Sequence, residues 1–369
     1  MSRVRRDAHQ RFAYRDRGEP ASSGSRARLW WGRAARTRTS SICTRRTSGS
    51  SRPEGSRLPL LVRHVPFLDD PAGVDGAHPR VSDHELDRLQ EVFVDASRLA
   101  SLAGFDGVDV KACHGYLLSE LLGAFTRDGR FGGGLENRMR FLLETVERIQ
   151  AEVPGILVTT RLNVYDGLPH PYGFGVARDG STEPDLTEPL VLLERLGVLG
   201  CAIVNITMGM PARDPHPGRP FNRAVPGSPP APEHPLVGVA RFMGLTGTLQ
   251  SALPDLPLVG TGYSWLRHFF PNVGARAVKG GKVSLVGVGR MAFAYPDFVR
   301  DLGEGGVLDP RKSCVGCSGC SELMRMGLGS GCVVRDGDVY QLPRRREKAF
   351  RRGGVGQEKE EKKGRRSDG

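Results

Sequence analysis

Three polar side chains capable of chemistry, Lys111, His114 and Tyr116, lie within six residues, just past a short apolar pattern at Val108 and Val110. A lysine or histidine at the point where a chain leaves a sheet can donate a hydrogen bond to an oxygen that is gaining negative charge. A tyrosine hydroxyl there can deliver or take a proton. The plainer alternative is that His114 and Tyr116 are part-buried polar residues satisfied by backbone. An apolar step follows at Leu117, Leu118, Leu121 and Leu122, then a loop containing Gly129, Gly132, Gly133 and Gly134, then a helix.

Two further groups of residues have spacing that suits a ligand. Cys314, Cys317, Cys320 and Cys332 form a C-x2-C-x2-C-x11-C pattern, and the remaining three of the seven cysteines are scattered at 43, 113 and 201. Three thiolates within seven residues and a fourth nearby can wrap a [4Fe–4S] cubane. Structural zinc more often uses two separated C-x2-C pairs, so iron–sulfur is favoured and zinc is the alternative. No secretory leader is read in the basic start "MSRVRRDAHQRF", which argues for a metal site over a disulfide framework and for a cytoplasmic protein. The second group is Gly260, Gly262, Gly287 and Gly289 with Arg290, where glycine-rich turns near a helix start can cradle phosphate.

These residues require strands that end beside them. Apolar and β-branched runs at 156–162, 201–207, 256–262 and 282–289 add four strands to the one at Val108. Helical spacing joins them. Ser82 to Glu85 is a capping-box pattern before Leu86, Leu89, Val92, Phe93, Ala96 and Leu99, with Gly104 as the stop. Further helices are expected over Leu135–Glu152 and around 189–196, 236–253 and 265–277. Strands alternating with helices predict a parallel α/β sheet whose chemistry sits at the carboxyl ends of the strands. Arg161 ends the second of these strands and offers paired N–H donors to an anion, or else pairs with an acid of the sheet.

"VDVKACHGYLLSELL" followed by "GGGLENRMRFLLETVERI" resembles the old yellow enzyme family of NADH:flavin oxidoreductases, nearest its iron–sulfur branch with 2,4-dienoyl-CoA reductase and trimethylamine dehydrogenase. That family has a strand ending in H-x-x-H/N-x-Y, then "GYLL" and "GGSLENRxRF". The resemblance implies a (β/α)8 TIM barrel, FMN, and hydride transfer between the flavin and an activated unsaturated substrate. It gives His114 the substrate oxygen and Tyr116 the proton transfer to carbon. Lys111 stands where classical members have histidine, which leaves the substrate open. Arg161 falls at the family's flavin-pyrimidine arginine. "GVGRMAFAYPDFVRDL" is similar to the family's phosphate segment, so Gly262, Gly289 and Arg290 are expected to hold FMN. The cysteine group follows the barrel as it does in the iron–sulfur branch, with one residue fewer between its second and third members. An amine or C–H dehydrogenase, or an inactive partial barrel, is the alternative.

Charge is divided unevenly along the 369 residues. Residues 1–57 carry +11, residues 344–369 carry +6, and the segment between them −5, for a total of +12. A mildly acidic middle with basic ends argues against nucleic-acid binding, and no run of about 18 apolar residues predicts a membrane span. Four regions are therefore expected. Residues 1–57 are Arg/Ser-rich and contribute nothing to the fold, so the N-terminal barrel strands are missing or mistranslated. Residues 58–312 are the FMN-binding barrel domain, 313–343 the four-cysteine motif, and 344–369 a charged disordered tail. The tail is too short for an FAD domain, so electrons are expected from NAD(P)H or from a separate electron-donor flavoprotein.

Overall fold

The computed structural model describes residues 39–42, 61–69, 75–211 and 214–345. Six parallel strands form one sheet in chain order: β1 (Thr39–Ile42), β2 (Gly107–Ala112), β3 (Leu157–Asn163), β4 (Ile203–Thr207), β5 (Leu258–Gly260) and β6 (Leu285–Val286). β2 to β6 are the five strands expected from the sequence. β1 corrects the expectation for 1–57 at four positions: Thr39–Ile42 pairs with Gly107–Val110 although the segment has no hydrophobic period. The other residues of that segment lie outside the described ones.

The helices fall where the periodicity put them. Asp83–Leu102 begins with the full capping box: the Glu85 N–H donates to Ser82 Oγ at 3.2 Å, and the Ser82 N–H donates to Glu85 Oε2 at 2.8 Å. Leu135–Glu152, Thr187–Val198 and Pro235–Ala252 cross between successive strands, as parallel connections require. Residues 263–269 depart from expectation in being a 3-10 helix, broken at Arg267 and followed by the α-helix Phe270–Lys279.

The core lies between the helices and one face of the sheet. Successive strand residues point to opposite faces. Val108, Val110, Val158, Val204, Ile206 and Leu258 are buried on the helix side against Phe93, Met139, Val146, Leu192 and Phe242. A separate cluster of Tyr263, Phe270, Met291, Tyr295, Phe298 and Leu308 closes the C-terminal end.

The glycine loop after β2 is fixed by close packing. A Cβ on Gly132 would come within 2.3 Å of the Arg127 carbonyl oxygen, so only glycine fits. Arg138 is buried and binds Glu188 through two N–H···O contacts of 2.7 and 3.1 Å. It also donates to the carbonyls of Leu122 at 2.7 Å and Gly133 at 2.8 Å and lies over the Phe125 ring. One guanidinium thus ties the loop after β2 to two helices. At the other end, residues 344 and 345 are helical, with Arg344 bound to Glu322 at 2.8 Å; residues 346–369 lie outside the described ones.

Removing one member of a buried ion pair strands the other. Arg138→Met should therefore lower unfolding free energy by about 3–5 kcal/mol in urea titrations, with an unchanged far-ultraviolet spectrum at zero denaturant. A loss under about 1 kcal/mol would show that the contact behaves as a surface pair.

Candidate active site

The strand register brings Lys111, Arg161 and Asn205 abreast: Lys111 pairs with Arg161, and Arg161 with Asn205, across β2, β3 and β4. Their strand neighbours Val110, Thr160 and Val204 point into the helix-side core. The three polar side chains therefore share the opposite face near the carboxyl ends. One pleat below, Asp109 faces the same way and meets Arg161 at 3.8 Å. This is the ion pair the sequence left open for Arg161, and it is loose. Asp109 Oδ1, Arg161 Nε and Asn205 Oδ1 are buried and have no hydrogen-bond partner among the described residues. A buried polar atom without a partner costs about 1–3 kcal/mol, so three on one face mark a place built for a polar ligand. Burial raises the Asp109 carboxyl above its ordinary value, while Arg161 and Lys111 oppose the shift.

Beyond β2 the backbone turns sharply. Cys113 is buried, and His114 and Gly115 both take positive φ, at 65° and 70°. Gly115 adopts this at no cost; His114 does so under strain of about 1–3 kcal/mol, of the kind concentrated at functional sites. The corner lets Tyr116 stand as the N-cap of the helix Leu117–Leu122. The Lys111 Nζ lies 3.2 Å from the Tyr116 ring centroid, a close cation–π contact. The structure thus brings together Lys111, His114 and Tyr116 with Arg161.

Burial first, then the charges of Lys111 and Arg161, hold the His114 imidazole down to about 3, so the ring is neutral at physiological pH. A neutral ring keeps one N–H to donate and carries no charge of its own. Burial pushes the Cys113 thiol up to about 12, which keeps it protonated and poorly nucleophilic despite its position beside His114.

The glycine turns lie side by side at the ends of β5 and β6. The Gly287 N–H donates to Gly260 O at 2.7 Å, and Gly262 has φ 90°. A Cβ on Gly289 would meet nothing within 4 Å, so this turn is open. Arg290 follows it. Nη2 donates to Pro220 O at 2.6 Å, Nη1 is buried without a partner, and the side chain lines a cavity with all four cysteines of the C-terminal motif.

That cavity is walled by Arg290, Phe293, Val333 and Ser318 together with Cys314, Cys317, Cys320 and Cys332. All four are free thiols, half-buried. Positive φ at Gly316 and Ser318 winds the loop around the cavity. The Gly316 N–H donates to Cys314 Sγ at 3.5 Å and the Arg335 N–H to Cys332 Sγ at 3.3 Å. Among the described residues no three His, Cys, Asp or Glu side chains gather tightly enough to hold a single metal ion. Burial and the like charge of Arg290 bring the Arg219 guanidinium down to about 10, with Cys320 and Cys314 acting the other way.

Asn205, Asp109 and Arg219 were not singled out in the sequence. For Asn205 and Asp109 a signal existed, since both are polar residues at alternate positions of strands otherwise apolar. Arg219 had none, because it sits in an irregular loop.

Residues 72–174 match the family of NADH:flavin oxidoreductases / NADH oxidases, which bears out the resemblance. The chain is 28% identical over 245 residues to a dimethylamine dehydrogenase of Hyphomicrobium sp. (strain x), covering 66% of this chain and 29% of that protein. It is 29% identical over 258 residues to a probable N-methylproline demethylase of Rhizobium meliloti (strain 1021), covering 69% and 34%. The chain thus spans about a third of the length of these relatives. Its fold is similar to that of a 2-naphthoyl-CoA reductase solved with 2-naphthoyl-CoA, with a TM-score of 0.54, 23% identity, and coverage of 70% of this chain and 35% of that one. No described helix is long and apolar enough to cross a membrane.

The His114 value makes a prediction with a definite sign. Between the folded value near 3 and the ordinary 6.5, the unfolded chain binds a proton that the folded chain does not. The contribution of His114 is constant above 6.5 and falls as pH drops toward 3. Asp166, pushed up to about 6 by burial, works in the opposite sense. The measurement is therefore the difference between wild type and His114→Gln, which should be less acid-sensitive. The ring resonances of His114 should stay in the neutral form from about pH 5 to 8; a midpoint in that window would reject the assignment.

Proposed function

We propose that this chain works as an FMN-dependent oxidoreductase of the NADH:flavin oxidoreductase and ene-reductase type, built on a (β/α)8 barrel, with an activated unsaturated compound as substrate. The observation that carries this reading is the row Lys111–Arg161–Asn205, with its unpartnered buried atoms, beside the strained His114–Tyr116 corner. The fit to FMN is chemical. Arg161 and Asn205 offer unsatisfied polar atoms suited to the polar edge of a flavin ring, and the open turn at Gly289, with Gly262 just past the neighbouring strand β5, suits a phosphate. When bound, FMN supplies or takes up hydride at the substrate carbon.

The chain's own residues do the rest. The neutral His114 donates its N–H to the activating oxygen of the substrate, and the Lys111 ammonium adds a positive field as that oxygen gains charge. The Tyr116 hydroxyl gives its proton to the carbon next to the activating group, completing addition of two hydrogens across the double bond. Arg161 stabilises negative charge on the cofactor side. Electrons come from NAD(P)H or from a separate electron-donor flavoprotein.

The second reading is an amine or C–H dehydrogenase, and the two curated relatives favour it by name. Lys111 and Arg161 argue against it. An ammonium substrate placed beside two part-buried cations is repelled, at about 4 kcal/mol per unit charge at 4 Å in a surface-like dielectric.

For the cysteine motif we propose a [4Fe–4S] cluster held by Cys314, Cys317, Cys320 and Cys332. Four free thiols around one cavity, with N–H groups aimed at two of the sulfurs, fit the ligation and hydrogen bonding such clusters need.

Denatured protein should release FMN, and release of FAD alone would reject the cofactor. Tyr116→Phe keeps the ring under Lys111 and removes the hydroxyl. Flavin reduction should then survive while reoxidation by an enone or enoate slows by about 100-fold or more. Lys111→Met should weaken turnover of enoates and improve tolerance of amines. Equal loss of flavin from both variants would show that these residues are structural.

A further inference from the structure

Two arginines near the cysteine cavity, Arg219 and Arg290, have unusual surroundings. Arg290 lines the cavity and is half-buried; its Nη2 donates to Pro220 O at 2.6 Å, and its Nη1 is buried without a partner among the described residues. Arg219, one residue before Pro220, donates from Nη1 to Ser321 Oγ between the third and fourth cysteines, and its Nε is also buried without a partner. Ser318 Oγ, in the cavity wall, is a third such atom. Neither half-buried arginine pairs with a carboxylate among the described residues, whereas the three buried arginines there all do: Arg63 with Glu120, Arg127 with Asp83, Arg138 with Glu188. A buried charge without a counter-charge is strongly destabilising. The thiols of Cys314, Cys317 and Cys320 line the same cavity as Arg290.

We infer that Arg219 and Arg290 are the counter-cations of the four-thiolate site, and that they set how readily its occupant accepts an electron. This rests on the iron–sulfur reading of that site. One electron entering a thiolate-ligated cluster adds one negative charge and breaks no bond; the electron comes from the proposed flavin or, in the test below, from dithionite. Fixed positive charge in a dry site favours the more negative state. The two guanidiniums therefore raise the reduction potential and make the site an electron acceptor. Their placement also links it to the flavin side, because Arg290 directly follows the open turn at Gly289.

The test uses the full chain purified without oxygen, as wild type, Arg219→Gln, Arg290→Gln and the two Arg→Lys variants. Iron and sulfide are assayed first, and the potential is then read by EPR-monitored titration with dithionite. In each Gln variant the one-electron reduction equilibrium should weaken about tenfold or more, equivalent to about 59 mV. The Lys variants, which keep the charge, should stay near wild type. Loss of iron in the Gln variants with retention in the Lys variants also supports a counter-charge. Full iron with an unmoved potential in the Gln variants overturns the inference and leaves the cluster standing. Loss of iron from Gln and Lys variants alike overturns it too, since the arginines then act only as packing. Wild-type protein without iron defeats the cluster reading itself.

Discussion

Everything at the candidate site depends on the parallel register of three strands. Lys111, Arg161 and Asn205 stand in line because β2, β3 and β4 pair residue for residue from Val108–Val158 and Thr159–Ile203 onward. A slip of one residue would turn each polar side chain into the helix-side core and bring Val110, Thr160 or Val204 onto the open face. The register is held by that same core, since Val108, Val110, Val158, Val204 and Ile206 have nowhere else to bury. Thr160 Oγ1 adds a side-chain clasp, donating to Val110 O across the strand boundary at 2.7 Å. The positions of the candidate site are thus located by the positions of the core.

Buried and half-buried arginines are treated differently in this molecule. Where the arginines serve architecture, each has an acid within hydrogen-bond reach, as Arg138 does with Glu188. Where the charge faces a site, the acid is distant or missing: Asp109 is 3.8 Å from Arg161, and Arg219 and Arg290 have no carboxylate among the described residues. The stabilisation given up there leaves the guanidinium donors available for anionic chemistry.

Much of this was legible in the sequence, for physical reasons. The helices Asp83–Leu102 and Leu135–Glu152 carry regular apolar spacing, and the first has an explicit cap, so both lie within two residues of expectation. The corner at His114 and Tyr116 was legible through its motif, and its strain through nothing local, because a histidine rarely takes positive φ. β1 was not legible, because four residues without alternation carry no strand signal. The bond from Arg290 to the Pro220 carbonyl was not legible either, because the two lie 70 residues apart in the chain. Asn205 could have been found by aligning strand ends; Arg219 could not.

The corner at Cys113 has a consequence for how the protein ages. Cys113 and Cys201 are buried, and both thiols are pushed up to about 12. The thiolate is the form that peroxide and alkylating reagents attack. The Cys113 sulfur, next to His114 in the chain, therefore stays in its least reactive form. Burial thus shields both sulfurs twice over, by closing off access and by keeping the proton on the thiol.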